Sequence, residues 1–370
     1  MVVPEPGFIV GPIARVFGFV IDFLFGIVFS TIGPAHSLGL TIILMTIIVR
    51  FLMMPLMLKS QRAMLKLREI KPELDKITEK YGKSNDPEIK KKMNAERTVV
   101  MSKHGANPLS GCLPLLITMP LFIGLNFIIR QAFLYITRLR DFYHELSVAL
   151  LNVPGFEAGG GKLGEMANRF IPQNMHTNNA ALARILVDQG IWYDFTDVQL
   201  AAARELVGET IFIAWPEHLT RVINRFTTDE WYELYGYIPT ALLPSIQSMV
   251  ANIASIETFF GLHVVHAAGF GWPGIMIPIL VLISSFISSW LMQKRQFDPN
   301  ADDKVKTQQK IMLYLMPVVM TAFTFTLPAG VGMFWIATQV FQATQDFIMF
   351  RRDGVDLNIP WLRKKESGDR

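Results

Sequence analysis

The residue with the clearest chemical potential in this chain is an arginine inside an apolar run. Arg50 lies within residues 38–58, which are long enough to cross a bilayer as a helix. A cation near the middle of such a helix costs roughly 2.5–3.5 kcal/mol on insertion scales, so it usually faces water, a partner or a substrate. The chemistry open to it is electrostatic attraction of a negative group. The alternative is that the side chain snorkels to the membrane surface.

Polar side chains also share one helical face in three later apolar runs. The third run carries Ser284, Ser285, Ser288 and Ser289, the fourth carries Tyr314, Pro317, Thr321 and Thr324, and the fifth carries Trp335, Thr338, Gln339, Gln342 and Gln345. Small hydroxyl residues often only allow close packing, whereas a glutamine amide in hydrocarbon needs hydrogen-bond partners. We therefore predict five helices around a water-accessible groove that opens to the cytoplasm. Its candidate lining residues are Arg50, Thr46, Thr118, Asn126, Ser285, Ser288, Thr321, Thr324, Trp335, Gln339 and Gln342.

The sequence shows no set of residues typical of catalysis or metal binding. All seven histidines lie outside the predicted spans, and His263 and His266 have helical spacing without a third ligand nearby. The single cysteine, Cys112, excludes intrachain disulfides and Cys-based metal clusters. No nucleophile is paired with a base. We expect a protein that is not an enzyme and that has no cofactor or metal.

The elements that position the polar residues are predicted as an all-α integral membrane fold. With 51% hydrophobic and 18% charged residues, the chain is too apolar for one soluble domain. The predicted order is an exterior N-terminus (1–36), the first span (37–58), a cytoplasmic helical hairpin (59–107), the second span (108–131), an exterior region (132–270) with a soluble insertion at about 137–238, the third span (271–293), a cytoplasmic loop (294–310), a hairpin of the fourth and fifth spans (311–349) and a cytoplasmic tail (350–370).

The distribution of charge sets the predicted orientation. Residues 59–104 contain thirteen Lys/Arg and seven Asp/Glu, whereas residues 130–257 contain nine Lys/Arg and fourteen Asp/Glu. Because basic loops stay in the cytoplasm, the hairpin is expected inside, with the N-terminus outside and the C-terminus in the cytoplasm.

Three further segments have patterns that predict their placement. Within residues 8–30 the small and polar residues form one stripe, which favours an amphipathic helix lying in the membrane interface, with a sixth span as the alternative. A helix is expected near 197–213 in the exterior insertion. Residues 239–265 are expected to lie on the exterior face, because a crossing there would place the basic loop 294–310 outside.

Two stretches and a C-terminal pattern resemble the YidC/Oxa/Albino family of membrane protein insertases. The stretches are residues 39–56 and residues 107–120, and the third match runs from Pro317 through Pro328–Trp335 to Gln345. The resemblance implies a positively charged groove, open to the cytoplasm and to lipid, that receives a nascent hydrophobic segment. Arg50 matches the groove arginine of the family, which would attract acidic residues in the exterior tail of the substrate.

The resemblance also implies partners and a location. It implies that the partners are nascent membrane proteins, the lipid bilayer, the Sec translocon and the ribosome, and that DNA is not a partner. The implied location is a bacterial plasma membrane. The exterior insertion lies outside the family core. Two other readings stay open: a channel or transporter subunit that uses Arg50 as an anion site, and a structural subunit of a larger membrane complex.

Overall fold

The computed structural model describes residues 7–82, 86–105, 113–156, 161–169, 216–296, 307 and 311–352. Within these ranges the chain is helical apart from one short hairpin of strands and the connecting turns. The α-helices are α1 (Gly7–Ile32), α2 (Ser37–Glu69), α3 (Lys71–Tyr81), α4 (Pro87–Lys103), α5 (Leu113–Arg130), α6 (Ala132–Tyr135), α7 (Thr137–Leu151), α8 (Gly161–Asn168), α9 (Pro216–Ile223), α10 (Thr228–Tyr235), α11 (Leu243–Glu257), α12 (Met276–Gln296), α13 (Met316–Thr324) and α14 (Ala329–Arg352). Strands β1 (Thr258–Phe259) and β2 (Leu262–His263) pair antiparallel, and Ile311–Leu315 forms a π-helical turn before α13.

The chain divides into two compact units, described separately below. The first unit contains Met1–Ile42, Gly124–Ala268 and Pro328–Gly330. The second unit contains Ile43–Ile123, Gly269–Leu327 and Val331–Arg370.

Helix α7 forms the centre of the first unit. Its residues Leu139, Leu146 and Leu150 recur at helical spacing and are fully buried. Helices α9 and α11 both pack against α7. They contribute apolar residues such as Leu219 and Ile256, which are also fully buried. The apolar stripe of α7 therefore anchors this unit.

Helix α1 packs on the first unit through one face. The buried positions Gly11, Ala14, Gly18, Ile21 and Phe25 follow the three-and-four spacing of a helix. Gly18 lies against the ring of Tyr135 in α6. Asp22 accepts hydrogen bonds from the backbone N–H of Thr137 (2.8 Å) and from its hydroxyl (3.0 Å), at the start of α7. Part of the predicted polar stripe of α1 therefore packs against protein; the interfacial position of α1 stays a prediction.

In the second unit, α12 packs along α13, and α3 packs along α4. Helix α2 ends at Glu69 and α3 begins at Lys71, both within the predicted helical hairpin at 59–107. Pro72 explains the break, because proline has no N–H to donate and is tolerated in the first turn of a new helix. Ile70 and Leu74 are buried against Val100 and Met101 of α4.

The helices confirm the prediction of a mainly helical fold, and the number of membrane crossings stays a prediction. In the described part of the chain, Gly11–Ile32 and Ser37–Gln61 are long and apolar enough to cross a membrane. Shorter apolar helices occupy Thr118–Arg130, Met276–Leu291 and Leu313–Thr324, within the other predicted spans. The helix expected at 197–213 lies outside the described residues.

Candidate functional site

Helix α14 carries three of the predicted groove residues, more than any other helix of the second unit. Its polar face carries Thr338, Gln339, Gln342 and Gln345, as the periodicity of the sequence indicated. These side chains meet α2 on one side and α12 on another. We call the contacts between α2 and α14 the α2–α14 polar seam; it comprises Arg50, Gln61, Thr338, Gln342 and Asp346.

Arg50 lies at one end of this seam. Its Nε is 3.4 Å from the hydroxyl oxygen of Thr338, to which it donates a long hydrogen bond. The side chain is partly buried, and Thr46, one turn earlier on α2, is fully buried. Next to Arg50, the ring of Phe51 packs edge-on against the ring of Phe341, with 5.1 Å between centroids. The guanidinium is therefore held beside α14 by a weak polar contact and a flanking apolar one, and its other donors can serve an additional acceptor.

A buried carboxylate forms the other end of the seam. Asp346 is 1% exposed. Its Oδ1 accepts a hydrogen bond from the amide of Gln61 in α2, and its Oδ2 accepts one from the amide of Gln342, both at 3.1 Å. Gln345 is also buried, and its Nε2 has no hydrogen-bond partner in the described structure. This end of the seam thus combines the amides of Gln61 and Gln342 with one carboxylate.

Helix α12 contributes the serines predicted to line the groove. Ser285 and Ser288 are buried on the same face as Ile277 and Val281. The amide of Gln339 lies 3.4 Å from the hydroxyl of Ser285, to which it donates. Close approach of the helices is possible because Gly332 has no side chain: a Cβ there would come within 2.2 Å of Ile277.

Trp335 connects α14 to α5. Its indole ring packs edge-on against the ring of Phe122, with 5.3 Å between centroids. Aromatic pairs in this geometry are stabilising beyond the area that they bury. Helix α14 therefore contacts α2, α5 and α12 within the second unit.

The other predicted lining residues are described by their local contacts and burial. The hydroxyls of Thr321 and Thr324 donate to carbonyls of their own helix, those of Pro317 and Thr321. Asn126 belongs to the first unit, where its Oδ1 accepts a hydrogen bond from Nε of Arg130. Thr118 is partly buried.

Sequence reasoning missed Asp346 and Gln61. Asp346 stands four residues after Gln342, so it continues the polar stripe of α14 by one turn. A carboxylate in a predicted span is by default a candidate functional residue, and this signal could have found it. Gln61 lies in the basic region just after the first predicted span, where nothing in its sequence context marks it.

A second buried polar cluster lies in the first unit. Glu257 at the end of α11 is 1% exposed and accepts a 3.0 Å hydrogen bond from the hydroxyl of Tyr143. Nε2 of His263 lies 3.4 Å from the same carboxylate oxygen, and the imidazole of His263 stacks on that of His266, with 4.0 Å between centroids. No group of three or more His, Cys, Asp and Glu side chains suited to a metal ion occurs among the described residues.

Burial shifts the titration of this second cluster. Burial raises the pKa of Glu257 to about 8, against the smaller opposing effect of the hydrogen bond from Tyr143. Burial, together with His266, lowers the pKa of His263 to about 3. Burial and the neighbouring Glu257 raise the pKa of Tyr143 well above its ordinary value. All three groups are therefore neutral near pH 7.

Comparison with known proteins places most of the chain in one family. The family model described as 60Kd inner membrane protein matches residues 28–154 and 231–354. The chain belongs to this family. The family resemblance found in the sequence is thereby confirmed, and membership together with the two apolar helices supports a membrane location.

Individual relatives of this chain are named membrane protein insertases. The chain is 45% identical to membrane protein insertase MisCA of Bacillus subtilis over 86 residues, which cover 23% of this chain and 33% of that protein. It is 41% identical to membrane protein insertase YidC 1 of Bacillus anthracis over 99 residues, covering 26% of this chain and 38% of that protein. Membrane protein insertase YidC of Oceanobacillus iheyensis is 21% identical over 327 residues, covering 88% of this chain and 77% of that protein. The two Bacillus matches thus span only about a third of the length of those relatives.

The segments that match the 60Kd inner membrane protein family contain the whole α2–α14 polar seam. Arg50, Gln61 and the serines of α12 lie in the matched segments, as does α14 through Arg352. Residues 155–230 lie between the two matched segments and fall within the predicted exterior insertion. Only this central part of the predicted insertion at about 137–238 therefore lies outside the family match.

Proposed function

We propose that this member of the 60Kd inner membrane protein family is a membrane protein insertase. The observation that carries the proposal is the placement of Arg50 in the α2–α14 polar seam, inside the segment that matches the family. The relatives in Bacillus and Oceanobacillus bear the name membrane protein insertase. The candidate lining residues, including the Gln339–Ser285 pair and Gln342, would form the hydrophilic groove that receives the substrate.

The mechanism follows from the energetics of the two parts of a substrate. An acidic exterior tail would be attracted to the guanidinium of Arg50, which lowers the cost of bringing the tail into the membrane. The apolar segment of the substrate, about 20 residues long, would then move into lipid. Burial of that segment, at about 25 cal/mol per Å² of apolar surface, drives the step without nucleotide hydrolysis.

The predicted orientation of the chain suggests roles for the remaining parts. With the basic hairpin of α3 and α4 in the cytoplasm, the hairpin would meet the substrate before the seam does. The predicted exterior region (132–270), with its acidic balance, would lie outside together with the N-terminus. Cooperation with the Sec translocon and with ribosomes is part of the same proposal.

Reconstitution into liposomes tests the proposal. The purified protein is incorporated into vesicles, and insertion of a single-span substrate with an acidic exterior tail is measured by protease protection. Wild type is compared with Arg50→Ala and Arg50→Lys. Lys59→Ala is the matched control, because Lys59 is a solvent-exposed basic residue on the same helix.

We expect wild type, Arg50→Lys and Lys59→Ala to insert the substrate, and Arg50→Ala to insert it several-fold less. The defect of Arg50→Ala should shrink when the acidic residues of the substrate tail are replaced by neutral ones. Equal insertion by all four proteins would mean that Arg50 is a structural residue. Absence of insertion by wild type, in vesicles where the protein is folded, would contradict the insertase function.

A further inference from the structure

Asp346 is a buried carboxylate that the proposed mechanism does not use. It is 1% exposed and accepts hydrogen bonds from two different helices, from Gln61 of α2 and from Gln342 of its own helix α14. Burial of a carboxylate is costly unless hydrogen bonds compensate for the lost water. Through its hydrogen bonds, Asp346 provides a fixed attachment between α2 and α14.

The geometry relates this attachment to Arg50. Arg50 and Gln61 are eleven residues apart on α2, and eleven residues at 100° each differ from three full turns by only about 20°. The two side chains therefore share one face of α2. Along α14 the order is the same, since Thr338 contacts Arg50 and Asp346 contacts Gln61. The two helices are thus attached at two points about 16 Å apart along α2.

The two attachments differ in strength. The hydrogen bond from Arg50 to Thr338 is 3.4 Å long, near the outer limit for such a bond. The bonds to Asp346 are 3.1 Å long and have a carboxylate as acceptor, which makes them stronger than bonds between neutral groups. Pro55 lies between the two points and removes one backbone hydrogen bond from α2, although the helix is continuous through it. The stronger attachment is therefore the one that can fix the rotation of α2.

We propose that Asp346 is a positioning residue: by binding Gln61 it sets the rotation of α2 on α14 that points Arg50 toward Thr338. The functional consequence, weaker substrate insertion when Asp346 is removed, rests on the proposed insertase function. The rotation itself does not, because it can be measured directly.

Crosslinking between positions 51 and 341, whose rings are in contact beside the seam, reports this rotation. In a background in which the sole cysteine, Cys112, is replaced by serine, Phe51→Cys and Phe341→Cys place one thiol on each helix at a position of direct contact. A short, membrane-permeable bifunctional thiol reagent is applied to the protein in native membranes, and the initial crosslinking rate is measured by mass spectrometry. Variants of Asp346 are also made without the reporter cysteines, and their insertion of the substrate is measured.

Two substitutions and one control separate the possible roles of Asp346. Asp346→Ala removes both acceptors. Asp346→Asn keeps two hydrogen bonds but removes the charge. The asparagine carbonyl can accept from one glutamine, and its NH₂ can donate to the carbonyl oxygen of the other glutamine when that amide is flipped. Thr344→Ala is the matched control, since Thr344 is exposed on the same helix and its hydroxyl donates only to the carbonyl of Val340 in the described contacts.

We expect Asp346→Ala to lower the crosslinking rate roughly threefold to tenfold, since two hydrogen bonds to a carboxylate are lost. Insertion should fall with it, while Asp346→Asn and Thr344→Ala keep both near the parent values. An unchanged crosslinking rate in Asp346→Ala would overturn the positioning role. A fall in both the crosslinking rate and substrate insertion in Asp346→Asn would show that the negative charge, rather than the hydrogen bonds with the glutamines, is needed. If the parent inserts no substrate, the insertase function fails, and the crosslinking rates still decide whether Asp346 sets the rotation.

Discussion

The buried cluster around Glu257 predicts an unusual pH dependence for the stability of the first unit. In the folded protein the pKa of Glu257 is raised from 4.5 to about 8, and the pKa of His263 is lowered from 6.5 to about 3, in both cases mainly by burial. In the unfolded chain both groups return to their ordinary values. Because stability changes with pH only where the folded and unfolded states bind different numbers of protons, the two shifts can be combined by counting protons.

The count gives three pH ranges. Between pH 4.5 and 6.5 the folded state holds one proton on Glu257 and the unfolded state holds one on His263, so stability does not change. Above pH 6.5 the unfolded chain has lost its proton and the folded state keeps its own, so stability falls until about pH 8. At 1.36 kcal/mol per proton and pH unit, this loss is about 2 kcal/mol. Below pH 4.5 the unfolded state binds the extra proton, so stability falls with decreasing pH.

Glu257→Gln is the substitution that isolates the alkaline part of this profile. The glutamine carbonyl can still accept the hydrogen bond from Tyr143, so the fold is expected to remain. The variant should lose the decrease between pH 6.5 and 8. Its stability should instead fall on acidification already below pH 6.5, where wild type is constant, because His263 remains buried and no proton on residue 257 offsets the one that His263 binds in the unfolded chain. The assay is hydrogen–deuterium exchange of α11 and the β1–β2 hairpin in detergent or nanodiscs, corrected for the intrinsic pH dependence of exchange.

Glu233→Gln is the matched control. Glu233 is a carboxylate of the same unit whose pKa is lowered to about 2 by hydrogen bonds from Arg169 and Lys162. Because its shift has the opposite sign and acts only at acidic pH, this variant should keep the alkaline decrease of the wild type. A wild type with constant opening free energy between pH 6.5 and 8, or a Glu257→Gln variant with the same decrease, would refute the reasoning.

Two further predictions concern the attachment of α1. Gly18→Ala should loosen α1 by about 1–3 kcal/mol, because the new Cβ would come within 2.4 Å of the ring of Tyr135, whereas Gly26→Ala should be harmless, since nothing lies within 4 Å of its Cβ position. Exchange protection of α1 measures both, and equal effects would contradict the packing. Asp22→Ala should expose the first turn of α7 to faster exchange, at about 0.5–2 kcal/mol, because both bonds to Thr137 are lost. Asp22→Asn, which keeps one acceptor, should have a smaller effect, and unchanged protection in Asp22→Ala would show that the contact contributes nothing.

The sequence alone was sufficient to recognise the family, to predict a helical fold and to single out Arg50 as a candidate residue. These depend on local properties: apolar runs of membrane-spanning length, the contrast in charge between residues 59–104 and 130–257, and motifs contained in short stretches. The polar stripe of α14 was also predictable, because residues three and four apart share a helical face whatever the helix packs against. The number of crossings and the orientation of the chain remain predictions of this kind.

Helix packing decided which polar groups meet. Thr338 is 288 residues from Arg50, Gln61 is 285 residues from Asp346, and Tyr143 is 114 residues from Glu257. Periodicity shows which face of a helix is polar, but it carries no information about which other helix approaches that face or at what rotation. That choice depends on steric fit, such as Gly332 against Ile277, and on the need of each buried polar group for a partner. The sequence by itself therefore determined the family and the charges available, and only the tertiary structure decided that Asp346 and Glu257 are buried and what each of them binds.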